Sequence, residues 1–567
     1  MNHRIKNIAW SCGLSVLAVG ACGMVQAQES PAATNAAATE KAAPAKHRSY
    51  GELDATLDGV LKALVDNKSL SPEQAARIKA DAAAASTTTE AAPAAGEKVI
   101  RVPYVTEDVK QQIRDDVQMG LQESTVQSVL AQAKQERWGV PGVLPEWINK
   151  LKFKGDVRVR LQQDNYAPEN GPESYYDFNV VNSKGGVGRA GPDAFLNTTQ
   201  DRFRMRTRAR FGVDATISNN LKAGLRLSTG NTTDPVSTNQ TLGTYDNRYQ
   251  VVWDQVFLEY KGYDVDRYHW LTVTGGRMPN PWLYSDLVWD HDLAFEGVAA
   301  TMRMNMNFGG GGLLDDDEQN RTLALTVGAF PLQEVELSGD DKWMYGTQVT
   351  GEWITLKQAV FKIGLAYYAF DHVVGQHNEF ESHVNDYTAP RFFQKGNSTF
   401  DILNDNDEAT NLAALGSDYD LIDVTATMDW AYFAPAHVYV TLDYVKNIGY
   451  QLQPAAAAEL GAVSQSLLDE KTTGYQALLT VGWPDVGVRG NWRAHLAYRY
   501  LERDAVLDAF TDSDFHLGGT DAKGWIIGGD YGLMENTWVS ARYMSSDAID
   551  GPPLGIDTVQ LDINARF

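Results

Sequence analysis

The chain has almost no cysteine and, beyond its first residues, no apolar run of the length a membrane-crossing helix needs. Such a helix takes about 20 consecutive apolar residues, and the one stretch near that length runs from Ile8 to Val25. With a mean hydropathy of −0.33 over 567 residues, a polytopic helical membrane protein is excluded. Positive charge is also scarce. Forty-nine Lys and Arg stand against 73 Asp and Glu, a net charge of −24, which leaves no global electrostatic footprint for nucleic acid. The two cysteines, Cys12 and Cys22, both fall in the apolar run. Arg4 and Lys6 precede that run, and Val25-Gln26-Ala27 forms a small-residue cleavage site, so residues 1–27 are expected to be an export signal. Its removal takes away both thiols, and with them disulfides, thiolate metal sites and cysteine nucleophiles. The rival reading makes Cys22 an acylated lipoprotein cysteine, although a complete cleavage site follows it. Aromatics, in contrast, are plentiful, with 25 Tyr and 14 Trp, and their partly polar rings suit a membrane–water interface.

The remaining chain divides by composition. Residues 28–49 and 81–98 are Ala-, Thr- and Pro-rich linkers that cannot bury enough apolar surface to offset their ordering entropy. Between them, residues 50–80 predict a short helical hairpin, from the helical spacing of Leu53, Leu57, Leu61 and Leu64 and the cap Ser71-Pro72 with Gln74 beyond it. Residues 99–150 predict a charged helix with a narrow stripe, Val109, Ile113 and Val117, then Val126, Val129 and Leu130. That stripe suits either a solvated surface helix or a coiled coil.

From Leu151 the period changes from 3.6 to 2. Phe153, Val157, Val159 and Leu161 alternate with Lys154, Asp156, Arg158 and Arg160. Arg202, Arg204, Arg206, Arg208 and Arg210 share one face of the next strand, opposite Phe203, Met205, Ala209 and Phe211. The final segment repeats the pattern, with Val559, Leu561 and Ile563 opposite Gln560, Asp562 and Asn564. About sixteen such strands follow one another, mostly of the roughly ten residues that a tilted strand needs to cross a bilayer. Their connections alternate between short (218–220, 262–267, 433–435, 533–536) and long (163–201, 230–250, 371–418, 504–521). A soluble sandwich has no reason to sort its loops this way. The pattern predicts an all-β, antiparallel transmembrane β-barrel over residues 151–567, with an N-terminal α-helical, coiled-coil segment on the side of the short turns. An arginine turned to lipid at mid-bilayer costs about 2–4 kcal/mol, so the arginine row must face the lumen. Tyr260, Trp270, Tyr432, Trp483 and Tyr500 then fall at interfacial girdles.

Several segments resemble the proteobacterial putative porins: KVIRVPYVTEDVKQQIRDDV from Lys98, ERWGVPGVLPEWINKLKFKGDVRVRLQ from Glu136, the arginine strand from Arg202, LRLSTGN from Leu225, and GRMPNPWLYSDLVWDHDLAFEGVAA from Gly276. The resemblance spans the chain from about residue 50. It implies an outer-membrane porin with a periplasmic helical segment, forming a water-filled channel for passive diffusion of small hydrophilic solutes or ions, without cofactor or metal. It further implies a homotrimer in contact with outer-membrane lipid and lipopolysaccharide, and a terminal Phe567 that acts as the signal to the barrel assembly machinery. The expected pore lining is Arg158, Arg160, Arg202, Arg204, Arg206, Arg208, Arg210 and Arg226. The segment holding Arg277, Asp286, Asp290 and Asp292, stiffened by Pro281, Trp282 and Trp289, is expected to fold inward as the constriction, or else simply to cap the barrel mouth. The arginine row also suits an anion- or phosphate-selective channel, which the acidic loops oppose.

An outer-membrane enzyme and an envelope tether are the other classes. No G-x-S-x-G or H-E-x-x-H element is present. His372, His377 and His383 share a predicted loop with acidic residues at irregular spacing, so a metal site there is weakly indicated. A tether would use residues 50–137.

Overall fold

The structure, a computed structural model, describes Ala76 and residues 148–567 except 266, 307–319, 356–358 and 408. The expected signal peptide, the linkers, the helical hairpin apart from Ala76 and most of the coiled-coil segment lie outside the described residues. The barrel opens with β1 (Leu151–Tyr166), β2 (Arg202–Thr216), β3 (Leu221–Ser228), the two-residue β4 (Gln240–Thr241), β5 (Val252–Tyr263), β6 (His269–Pro279), β7 (Ala294–Asn305) and β8 (Asn320–Gln333). It continues with β9 (Lys342–Thr355) and β10 (Ala359–Asp371), then a loop carrying the small pair β11 (Thr399–Asp401) and β12 (Ala413–Leu415). The remaining strands are β13 (Asp420–Trp430), β14 (His437–Asn447), β15 (Thr473–Gly482), β16 (Trp492–Leu501), β17 (Ala522–Met534), β18 (Thr537–Ala548) and β19 (Gly555–Arg566).

Each long strand pairs antiparallel with its neighbours in sequence, and β1 pairs with both β2 and β19, so sixteen long strands close into a barrel with no free edge. Closure is in register from Asp156 opposite Arg566 to Tyr166 opposite Ile556. At the seam Gly155 and Phe567 exchange backbone hydrogen bonds of 2.9 and 3.0 Å. A Cβ on Gly155 would stand 2.4 Å from the Phe567 ring, so only glycine leaves room for the terminal aromatic there.

Period-2 alternation decides which face is which. Phe203, Met205 and Phe211 of β2, Trp253 and Leu258 of β5, Ile363 and Leu365 of β10 and Leu561 and Ile563 of β19 are all exposed on the outer face, an apolar band that lipid would cover. Tyr260, Trp270 and Tyr432 are exposed there too, while Trp483 packs edge-on against Trp492 and Tyr500 stacks on Tyr475. The inner face is polar. One rim carries the short turns 217–220, 431–436 and 535–536 together with both barrel termini, and the other carries the long loops 167–201, 229–251, 372–419, 448–472 and 502–521. Two connections on the long-loop rim, 334–341 and 549–554, are nonetheless short.

The dry core of the molecule lies inside the barrel, not between layers. Trp282, Leu287, Val288 and Trp289, all in the segment between β6 and β7, pack with Phe295, Phe330, Met344, Tyr368, Leu415 and Leu507. Trp289 meets Phe295 and Tyr368 edge-on at 5.1 and 5.2 Å. Trp282 lies over Gly346, whose absent Cβ would fall 2.5 Å from the indole.

Candidate functional site

The segment 280–293 turns into the barrel instead of standing over its mouth. Asn280 starts the turn, its side-chain oxygen accepting from the Trp282 N–H at 2.9 Å. The Leu283 N–H then donates to Gln348 Oε1 at 2.7 Å, and Gln348 Nε2 donates back to the Leu283 carbonyl at 2.8 Å. Ser285 Oγ donates to Asp443 Oδ2 of β14 at 2.5 Å. The segment is thus fastened to β9 and β14, while its far end reaches β2. There Asp292 Oδ1 lies 3.2 Å from Arg210 Nη1 and 3.6 Å from Arg208 Nη1. Burial opposes ionisation of Asp292, but these two guanidiniums hold its carboxyl below the ordinary range.

A second segment, 502–521, enters beside it. The Asp290 N–H donates to the Phe510 carbonyl at 2.8 Å, and the Ser513 N–H donates to Asp290 Oδ2 at 2.9 Å. Asp514 Oδ2 lies 2.6 Å from Arg160 Nη1 and 2.6 Å from Arg542 Nη2, with Arg206 Nη1 at 3.7 Å from its other oxygen. Burial disfavours the charge, yet these guanidiniums hold Asp514 well below the usual carboxylate range. Arg160 is also held in a two-pronged pair by Asp562 of β19, both contacts 2.8 Å.

The expected pore-lining arginines therefore occupy one connected inner wall, but most are matched. Arg204 pairs with Asp164 at 2.6 Å, Arg208 and Arg210 share Asp156, and Arg226 pairs with Asp254. Arg158 donates to Asn239, and its Nε has no partner among the described residues. Arg202 stands exposed at the outer end of β2. Beside this wall is a cavity of about 460 Å³ whose lining mixes Arg158, Arg160 and Arg208 with Asp286, Asp290 and Asp292.

Of the four constriction candidates, the structure brings Asp286, Asp290 and Asp292 to this cavity and leaves Arg277 out. Arg277 lies on β6, pairs with Glu296 at 2.5 Å and lines a different cavity. Asp286 pairs with His291 Nδ1 at 2.8 Å. Burial would raise Asp286, but the imidazolium holds it below the ordinary range, and Asp286 in turn pushes His291 up to about 9. Asp290 is raised well above the ordinary range by burial and by the neighbouring carboxylates of Asp512 and Asp292. Sequence reasoning missed Asp512, Asp514, Arg542 and Asp562. The acidic cluster Asp512-Ser513-Asp514 and the polar face of β19 were visible, but nothing local shows that a loop returns into the lumen.

His372, His377 and His383 go to separate partners, the Asp341 carbonyl, the Asn378 carbonyl and Asp386 respectively, and no group arranged to hold a metal occurs among the described residues.

The chain is similar to the outer membrane channel DcaP of Acinetobacter baumannii (11% identity over 74% of this chain and 97% of that one, TM-score 0.36). It is similar to Pseudomonas putida OprB (10%, 76% and 97%, TM-score 0.40) and to the anion-selective porin of Comamonas acidovorans (11%, 74% and 99%, TM-score 0.36). At these identities the likeness says nothing of individual side chains. No curated protein matches the sequence. The sequence profile described as putative porin matches residues 56–567 and takes in every strand of the barrel: the chain belongs to the putative porin family of outer-membrane channels.

Proposed function

We propose that the protein is a diffusion pore for small hydrophilic solutes whose selective section is the gap between the arginine wall of β1, β2 and β18 and the inward segments 280–293 and 502–521. The observation that carries this reading is the pairing of Asp292 and Asp514 with wall arginines that start on other elements. It neutralises much of the wall in place and leaves positive and negative groups interleaved around the cavity. Selectivity follows the charges at the narrowest section. A lumen of this kind discriminates weakly by net charge and orients dipolar solutes. Single-channel recording of the full chain in a planar bilayer, with reversal potential under a salt gradient, tests it. Discrete conductance steps and a reversal potential near zero are expected. No conductance from a folded barrel would mean that the two segments plug the lumen and would overturn the proposal. A strongly anion-selective potential would favour the second reading, an anion channel, which the unpartnered Nε of Arg158 supports.

A further inference from the structure

On the other side of segment 280–293 lies a second cavity of about 250 Å³. Its walls are apolar: Trp289 and Leu293 from the segment, Phe330 and Met344 near the ends of β8 and β9, Leu507 and Phe510 from segment 502–521. An apolar cavity of about 150 Å³ accommodates benzene, so this one holds a ring with a substituent.

Its polar end carries a buried cation without a carboxylate. Most buried cations of the lumen meet one, since Arg160 meets Asp514 and Asp562, Arg499 meets Asp512 and Arg503 meets Asp550, while Lys395 lies over the Tyr175 ring instead. Lys342, 3% exposed, meets no carboxylate among the described residues. Its Nζ donates to Gln333 Oε1 at 2.9 Å and to the carbonyls of Tyr387 and Ala389 at 2.9 and 3.1 Å, all neutral acceptors. Arg391 lines the same cavity and lies near enough for its charge to act on Lys342. Among the described residues Arg391 has no hydrogen-bond or ion-pair partner. Of the two acids of the lining, Glu296 pairs with Arg277 at 2.5 Å, and burial pushes the Asp508 carboxyl up to about 7. A buried ammonium satisfied only by neutral groups is costly, and an incoming anion relieves that cost.

We propose that this cavity binds a small aromatic monocarboxylate, the ring between Phe330 and Phe510 and the carboxylate paired with Arg391, within the field of the Lys342 charge, whose three N–H groups stay on their own acceptors. The inference is independent of the pore's selectivity. Benzoate, titrated calorimetrically into the detergent-solubilised full chain, is the probe. Saturable one-site binding is expected, with benzyl alcohol (ring without charge) and acetate (charge without ring) each weaker by at least about tenfold, the factor that corresponds to about 1.4 kcal/mol. Arg391→Gln is expected to weaken benzoate by about tenfold, and Ala509→Phe, which fills the cavity, to remove binding without moving the melting temperature. Benzyl alcohol binding as tightly as benzoate would reduce the cavity to an apolar slot and overturn the proposal. Benzoate binding untouched by both variants would place the ligand on the lumen arginines and overturn it as well, as would the absence of binding. Conductance of the Arg391→Gln protein in salt alone reports separately on the pore reading, because Arg391 lies outside the constriction.

Discussion

Replacing Asp514 by Asn keeps its shape and removes one negative charge from the point where Arg160, Arg206 and Arg542 converge, with contacts of 2.6, 3.7 and 2.6 Å. A unit charge about 4 Å from a permeating ion is worth about 1 kcal/mol at the dielectric of water and about 4 kcal/mol at an effective value of 20. Taking the lower figure for a hydrated lumen, an anion gains about 1 kcal/mol and a cation loses as much. The anion-to-cation ratio then rises by about 2 kcal/mol, roughly thirtyfold. Screening sets the salt dependence, since the Debye length falls from about 10 Å at 0.1 M to about 3 Å at 1 M. The change should therefore be large at low salt and small at high salt. The assay is the reversal potential under a tenfold potassium chloride gradient, comparing the parent, Asp514→Asn and the charge-retaining Asp514→Glu. Arg160 keeps Asp562 and Arg542 keeps Gln560, but losing the shared carboxylate still destabilises the segment, by less than the roughly 3–5 kcal/mol of a fully broken buried pair, so a heat-modifiability gel must show that the variant barrel is folded. A folded Asp514→Asn barrel with the parent's potential, or with one shifted towards cations, would refute the claim that this cluster controls the ion path.

His291 is raised to about 9 by Asp286, so its contribution to holding segment 280–293 is full below its unfolded value near 6.5 and is lost as pH rises through about 9. Raising pH from 7 to 10 should shift the reversal potential towards cations, and His291→Asn should abolish the shift. Trp282, 5% exposed beneath Tyr368 and Phe330, costs about 3–5 kcal/mol when cut to Ala. Open-channel noise should rise, and a quiet channel of parental size would count against the segment as the constriction. Gly155→Val drives a side chain into the Phe567 ring and should lower the yield of heat-modifiable barrel, as should deletion of Phe567. Removing residues 28–147 leaves the β1–β19 closure intact, so conductance should survive, and its loss would move the function to the N-terminal segment.

How far the sequence could be read depends on whether the physics is local. All sixteen strands were legible within a few residues because each must alternate between lipid and lumen, and a slip of one residue in β2 would turn its arginine row into hydrocarbon. Loop sorting was legible for a similar reason, since the two rims face different compartments. The 334–341 and 549–554 connections broke the rule because they join β8 to β9 and β18 to β19 with no segment to route inward. The inward path of 280–293 was suggested by Trp282, Trp289 and Asp292, which have no reason to gather in a solvated loop. The partners of that path were not. Gln348, Asp443 and Asp514 lie far away in sequence, and their pairing is set by the closed barrel.

That distinction explains why Arg277 parts from the aspartates with which its motif groups it. β6 ends at Pro279, and the turn at Asn280 sends the following residues across the lumen while Arg277 stays on the strand beside Glu296. The same short motif thus faces two cavities. Its acidic half meets the arginine wall, and its basic residue stands at the apolar cavity that holds Lys342 and Arg391. Asp292 is fixed by charges at one end and Trp289 by aromatic packing at the other, so a ligand that moved Trp289 would also move Asp292. Benzoate in the second cavity should therefore change the reversal potential of the parent and not that of Asp292→Asn, where the charge that couples the two has been removed.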